Sequence, residues 1–179
     1  DRLQAMASQV PQLNKGILAS VLQDLRQGAK IGCTGKFREP SKASNAPSAF
    51  EDGEKVTDAI CDWVKKGFAF GPVKFEDVPA NAKYSGIMTR AKPNGSVRII
   101  LNLSSPAGRC VNEGINPEDF PASMSSTNKW LTALNRAGRN CLISKCDWSD
   151  AYKHLSVHPE DLPLQWFAWL GRAFCELCL

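Results

Sequence analysis

At Tyr84 the apolar pattern changes from the three-and-four spacing of helices to the alternation of strands, and this change constrains the fold more than any other feature. Tyr84 to Arg90 and Ser96 to Leu103 flank Lys92-Pro93-Asn94-Gly95, which is a hairpin signal. The turn chemistry also predicts a register. A two-residue loop at Asn94-Gly95 would pair Lys92 with Val97 and put Arg98 on the opposite face. A three-residue loop, Pro93-Asn94-Gly95, pairs Lys92 with Ser96 and Arg90 with Arg98. Pro, then Asn, then Gly in the left-handed position suits the three-residue loop, so Arg90, Lys92 and Arg98 are expected to share one face.

Helical spacing dominates before this point. Leu13, Ile17, Leu18, Val21, Leu22 and Leu25 mark a helix within 11–27. Gly35 to Ser48, with Pro40 and Pro47, reads as a linker or exposed loop. Val56, Ile60, Trp63 and Val64 mark a second helix, with Glu51, Asp52 and Glu54 at its start and Lys65-Lys66-Gly67 at its end. After the hairpin come a loop with Pro106, Gly108 and Gly114, the small polar stretch Ser123 to Ser126, and a third helix. That helix runs from about Thr127, with Trp130, Leu131 and Leu134 on one face, to Asn135-Arg136-Ala137-Gly138. Cys141 to Cys146 reads as a short strand and Ser149 to Leu155 as a helical turn. Gln165 to Leu170 and Ala173 to Leu179 read as two strands joined around Gly171-Arg172. The fold class expected is α+β, without an internal repeat.

The chain of 179 residues, 43% of them apolar and 22% charged, is long enough for a substantial core. No apolar run is long enough for a bilayer span, and Asp1-Arg2-Leu3-Gln4 lacks a signal peptide's pattern, so the expected setting is intracellular, cytoplasmic or nuclear, with no membrane partner. The start at Asp1 and the finish within Phe174-Cys175-Glu176-Leu177-Cys178-Leu179 read as cut ends of a longer protein. The net charge of +4 is mild, but between Asp77 and Glu113 no acid occurs while Lys83, Arg90, Lys92, Arg98 and Arg109 do. Such a run is a solvated basic face or a polyanion site. The seven cysteines lack a framework spacing and read as reduced thiols. Cys141, Cys146, His154 and His158 have the order of a two-Cys, two-His zinc site, but the central interval is short for one. Cys175 and Cys178 have no matching second pair.

The segment with the most chemistry is Ile143-Ser144-Lys145-Cys146-Asp147-Trp148-Ser149-Asp150-Ala151-Tyr152, in which an apolar run delivers a carboxylate to a turn. An aspartate there is commonly a turn residue or helix cap; it is also the hard oxygen donor that Mg²⁺ requires. Asp147-x-x-x-Ala151-Tyr152 resembles the first catalytic motif of retrovirus and retrotransposon reverse transcriptases. Lys66-Gly67, the hairpin within Ile87 to Leu103, Leu155-Ser156-Val157-His158-Pro159 and Phe167-Ala168-Trp169-Leu170 resemble the surrounding segments of that family, over roughly residues 50 to 179. The wording is closest to retrotransposon enzymes.

The resemblance implies a partial right-hand polymerase fold, the fingers hairpin plus the first part of the palm. It divides the chain into an unassigned helix and linker (1–48), a fingers-like region (49–133) and the start of the palm (134–179). It implies that Asp147, with the Trp148 carbonyl, binds two Mg²⁺ ions, and that Tyr152 excludes a 2′-hydroxyl. It implies that Lys92 and Arg98, with Arg90 beside them, and the Asp150 and Ala151 amides hold the phosphates. The partners implied are an RNA or DNA template with primer, deoxynucleoside triphosphates and the remainder of a retroelement polyprotein. The family's Tyr-x-Asp-Asp hairpin and the glycine loop before it do not occur in these residues, so the expectation is a fragment inactive alone. Two other readings stand beside it: a non-catalytic nucleic-acid binder derived from such an enzyme, and a small zinc module.

Overall fold

The computed structural model describes residues 5, 15–35, 43–120, 126–144 and 146–179. Helix α1 (Lys15–Gln27) buries only Leu22; Leu13 lies outside the described residues. The helix ends at Gly28, whose φ of 87° and packing both require glycine, since a Cβ there would stand 2.6 Å from the Val157 carbonyl oxygen. The chain then runs beside residues 156–158, the Ala29 amide donating to the Ser156 carbonyl (2.8 Å) and the His158 amide to the Ala29 carbonyl (2.9 Å).

Residues 43–51 depart from the loop expected over Gly35 to Ser48, of which 36–42 lie outside the described residues. Pro47–Glu51 form a short helix, α2, and residues 43–46 run along a strand, the Ala43 amide bonding the Tyr84 carbonyl (3.3 Å) and Ala46 that of Ile87 (2.8 Å). Proline is tolerated in a first helical turn, where its missing N–H has no partner to lose, so Pro47 opens a helix instead of marking a loop. Helix α3 (Gly53–Lys66) follows. It ends at Gly67 in the left-handed conformation, with the amides of Gly67 and Phe68 returning to the carbonyls of Val64 (3.1 Å) and Trp63 (2.8 Å). The sequence Lys65-Lys66-Gly67 predicts this termination.

Among the described residues the sheet has five strands, β1 (Ala69–Val73), β2 (Tyr84–Ala91), β3 (Val97–Asn102), β4 (Trp166–Trp169) and β5 (Arg172–Glu176), in the order β1-β5-β4-β2-β3. All neighbours are antiparallel except β2 and β4, which pair in parallel only at Tyr84–Trp166 and Ser85–Phe167. Beyond that point the two strands separate, and the Asn45 side chain fills the split. Its amide nitrogen donates to the Ala168 carbonyl (2.9 Å) and its oxygen accepts from the Ile87 amide (2.8 Å). Gly86 admits this segment, because a Cβ there would fall 2.3 Å from the Ser44 carbonyl oxygen.

β4 and β5 are covered on both faces. Phe167, Trp169 and Phe174 pack with Ala49, Val56, Ile60, Ile87 and Ile99 under α2 and α3. Trp166, Ala173 and Cys175 pack with Ala82 on the other side. This is why their sequences read as nearly continuous apolar runs. Their turn falls at Leu170-Gly171, one residue earlier than the Gly171-Arg172 expected, with Trp169 opposite Arg172. Both turn residues have positive φ, 46° and 75°, the geometry of a two-residue loop that matches strand twist.

The strand expected at Cys141 to Cys146 does not form. Residues 141–144 have no regular structure, Lys145 lies outside the described residues, and Leu142 is fully exposed. A strand exists by pairing, and no described strand runs beside this segment. The third helix, α4 (Thr127–Ala137), starts where expected, with the Ser126 side chain accepting from the Lys129 amide (3.4 Å), but it buries none of its residues. Ser123 to Ser125, placed by the sequence in a small polar stretch, lie outside the described residues. No helix among the described residues is long and apolar enough to cross a membrane.

Candidate nucleotide and metal site

Two groups of residues named from the sequence are each brought together. The first lies on the hairpin. Arg90 stands opposite Arg98 and Ala91 opposite Val97, while the Lys92 amide bonds the Ser96 carbonyl (2.8 Å) and the Gly95 amide bonds that of Lys92 (3.0 Å). The loop is therefore Pro93-Asn94-Gly95, with Gly95 at φ 80°. Asn94 closes it, its side-chain oxygen accepting from the Ser96 hydroxyl (2.7 Å) and amide (3.2 Å). Arg90, Lys92 and Arg98 share one face, as the three-residue loop predicts, and all three are exposed. Three cations on one face of a two-stranded ribbon form a concentrated positive field, suited to a group carrying several negative charges.

The second group is the turn 147–154. Asp150 adopts a left-handed φ of 51° and leads into a single 3-10 turn, Ala151–His154. The turn is held by the Lys153 amide on the Asp150 carbonyl (2.8 Å), by His154 Nε2 against the Ser149 carbonyl (3.2 Å), and by the edge of one of the Trp148 and His154 rings against the face of the other. Asp147, Trp148, Asp150, Ala151 and Tyr152 are all exposed. Among the described residues no hydrogen bond or ion pair links this turn to the hairpin cations.

The turn is anchored through a residue that the sequence reading passed over. Lys153 pairs with the Glu176 carboxylate of β5, and its ammonium lies 4.1 Å from the centroid of the Trp63 ring on α3. Both charged side chains are largely buried. A buried ammonium needs a counter-charge to replace water, and a π face adds to it. The visible signal was Glu176, a lone acid between Cys175 and Leu177 in an apolar strand. The pKa of Lys66 is raised chiefly by its hydrogen bond with Asp62 and that carboxylate's charge, with Asp150 adding a smaller share.

Asp147 and the Trp148 carbonyl are hard oxygen donors in an open turn, and that donor chemistry fits a Mg²⁺ ion that completes its shell with water and phosphate. The zinc reading finds no such fit. Among the described residues, which include Cys141, Cys146, His154 and His158, no three His, Cys, Asp or Glu side chains converge on a point.

No family model and no curated protein matches the sequence. Solved structures do match in fold. The crystal structure of the native protease-reverse transcriptase of prototype foamy virus superposes with a TM-score of 0.52 at 16% identity, covering 99% of this chain and 24% of that one. A CSH mutant of the same protein gives 0.52 at 15% identity, with the same coverage of each chain. The foamy viral protease-reverse transcriptase in complex with double-stranded DNA gives 0.54 at 12% identity, covering 99% of this chain and 37% of that one. The chain thus spans between a quarter and about two fifths of the proteins it matches. At these identities the likeness is one of fold, and the fold is α+β, a partial right-hand polymerase fold similar to part of a reverse transcriptase.

Proposed function

We propose that the chain is the fingers and first palm segment of a retroelement reverse transcriptase, an RNA-directed DNA polymerase. The observation that carries this reading is the hairpin register, which gathers Arg90, Lys92 and Arg98 on one face within a reverse-transcriptase-like fold. The DNA-bound state of one structural neighbour supports a nucleic-acid partner.

In this reading Lys92 and Arg98, with Arg90 beside them, grip the β and γ phosphates of a deoxynucleoside triphosphate and offset the charge that develops in transfer. The Asp150 and Ala151 amides steady the same phosphates. Asp147 and the Trp148 carbonyl would hold Mg²⁺. Such ions would supply the Lewis-acid chemistry that a primer 3′-hydroxyl and a leaving phosphate need. Tyr152, exposed on the turn, blocks a 2′-hydroxyl and so selects deoxynucleotides. The Lys153–Glu176 pair keeps the turn seated on β5 and α3. Within these 179 residues Asp147 is the only aspartate that matches a metal position of the family, so the chain alone binds without extending a primer. The remainder of a retroelement polyprotein supplies the rest, in an intracellular setting.

The test is primer extension on an RNA template by the longer polypeptide that carries this chain. Asp147→Asn abolishes incorporation and leaves primer–template binding intact. Tyr152→Ala admits ribonucleotides, and unchanged sugar selection would remove that assignment. Arg98→Ala raises KM for deoxynucleotide by about tenfold or more, as expected for losing one charge-assisted contact. Template binding without any incorporation by the unaltered polypeptide would instead make this a nucleic-acid binder.

A further inference from the structure

We propose that the cleft between the start of α3 and the β4–β5 turn is a docking site for an arginine side chain presented by a partner polypeptide. The cleft is open, about 440 Å³, and lined by Phe50, Gly53, Glu54, Thr57, Asp58, Trp169 and Leu170. Its floor is aromatic: Phe50 and Trp169 stack with ring centroids 5.5 Å apart and planes 27° from parallel. The floor is also fixed. Trp169 Nε1 donates to Thr57 Oγ1 (2.9 Å), and that hydroxyl donates to the Gly53 carbonyl (2.8 Å). Trp169 is buried, but Phe50 is 61% exposed, so a large ring is held in place with much of its surface facing solvent.

The rim decides the occupant. Glu54 and Asp58 lie one turn apart on α3 and both line the cleft. Other acids nearby are engaged: Asp52 pairs with Lys55 (3.3 Å) and accepts from the Thr89 hydroxyl (3.1 Å), and Asp62 pairs with Lys66 (2.6 Å). Among the described residues the Glu54 and Asp58 carboxylates neither form an ion pair nor accept a hydrogen bond. Two free carboxylates beside an exposed aromatic face repel phosphate and attract a cation. Of the cations available to a polypeptide, a guanidinium both stacks flat on a ring and presents a fork of donors to carboxylates, whereas an ammonium does neither as well. A polyanion, which the basic hairpin suits, is the wrong occupant here. This surface therefore serves a protein contact, independent of the polymerase reading.

The proposal is tested on the 179-residue chain labelled with ¹⁵N, by titrating acetyl-Gly-Arg-Gly-amide and following the indole N–H signal of Trp169. The arginine peptide shifts that signal saturably, and the same peptide with citrulline, a neutral isostere, does not. The doubly substituted variant Glu54→Gln, Asp58→Asn, changed only at exposed positions, keeps its fold and binds the arginine peptide about tenfold more weakly. The lysine peptide binds more weakly than the arginine peptide. The proposal is overturned if arginine leaves the Trp169 signal unmoved, if citrulline binds as well, or if the double variant binds as tightly as the unaltered chain. Lysine binding as tightly as arginine would overturn the choice of a guanidinium.

Discussion

Asn45 shows how one side chain can take over the work of a missing ladder. Where β2 and β4 part, the Ile87 amide and the Ala168 carbonyl lose each other as strand partners, and the Asn45 amide group satisfies both. Asn45→Ala leaves a donor and an acceptor without partners in a half-buried split, and is expected to cost about 1–3 kcal/mol in unfolding free energy by urea titration. Ser44→Ala, one residue away on an exposed side chain, is expected to change stability by no more than about 0.5 kcal/mol. Equal effects of the two would show that the bridge contributes nothing. Nothing local to Asn45 announced this role: Ser-Asn-Ala-Pro reads as loop chemistry, and the asparagine's partners lie 42 and 123 residues away. Lys153 was hidden for the same reason, its partners being on α3 and β5. Arg90, Lys92 and Arg98 were legible because every group that sets their face lies within ten residues of the turn.

Elements were readable in proportion to how much of their stability is local. The hairpin was legible down to its register because Pro93-Asn94-Gly95 encodes the loop and burial of Ile87 and Ile99 fixes the faces. Helix α3 was legible at its C-terminus because Gly67 and the preceding lysines act within a turn. β1 escaped because Ala-Phe-Gly-Pro-Val contains two residues that weaken strands; it survives at the sheet edge, with an irregular register between Phe70 and Val73. The Cys141 to Cys146 segment fails in the opposite sense, with strand-like composition but no strand to pair with. α4 has the caps and spacing of a helix yet buries nothing, so its stability comes from local terms alone. Amide exchange should therefore separate the helices. The α4 amides from Leu131 to Ala137 exchange through local opening, orders of magnitude faster than those of Ile60 and Val64 in α3, which open only with the core. Protection of α4 equal to that of α3 would mean that packing holds it after all.

At the scale of the whole molecule, the core couples to pH through thiols. The seven cysteines are all free, with Cys110, Cys175 and Cys178 buried and Cys61 and Cys146 exposed. Burial pushes the Cys175 thiol up to about 12 from 9.0, and it also raises those of Cys33 and Cys178. Unfolding returns each to its ordinary value, so above pH 9 the unfolded chain releases protons that the folded chain retains. The stability these groups contribute is complete below pH 9 and is lost as pH rises through each raised pKa; for Cys175, whose window reaches about 12, the loss is about 1.4 kcal/mol per pH unit. Lys83 acts in the opposite direction, since burial lowers its pKa and the cost of keeping it charged is relieved as it deprotonates. Burial lowers Lys153 too, but there deprotonation also leaves the buried Glu176 carboxylate without its partner. The Lys83 gain ends near 10.5, the ordinary lysine value, and above it the proton withheld by Cys175 is no longer offset. Urea midpoints measured under reducing conditions from pH 8 to 11.5 should show stability still declining above pH 10.5. Cys175→Ala lowers stability at pH 8 by removing a buried side chain, but it flattens the decline above pH 10.5 because one of the withheld ionisations is gone. An unaltered slope in that variant would place the alkaline sensitivity elsewhere than in the Cys175 layer beneath β4 and β5.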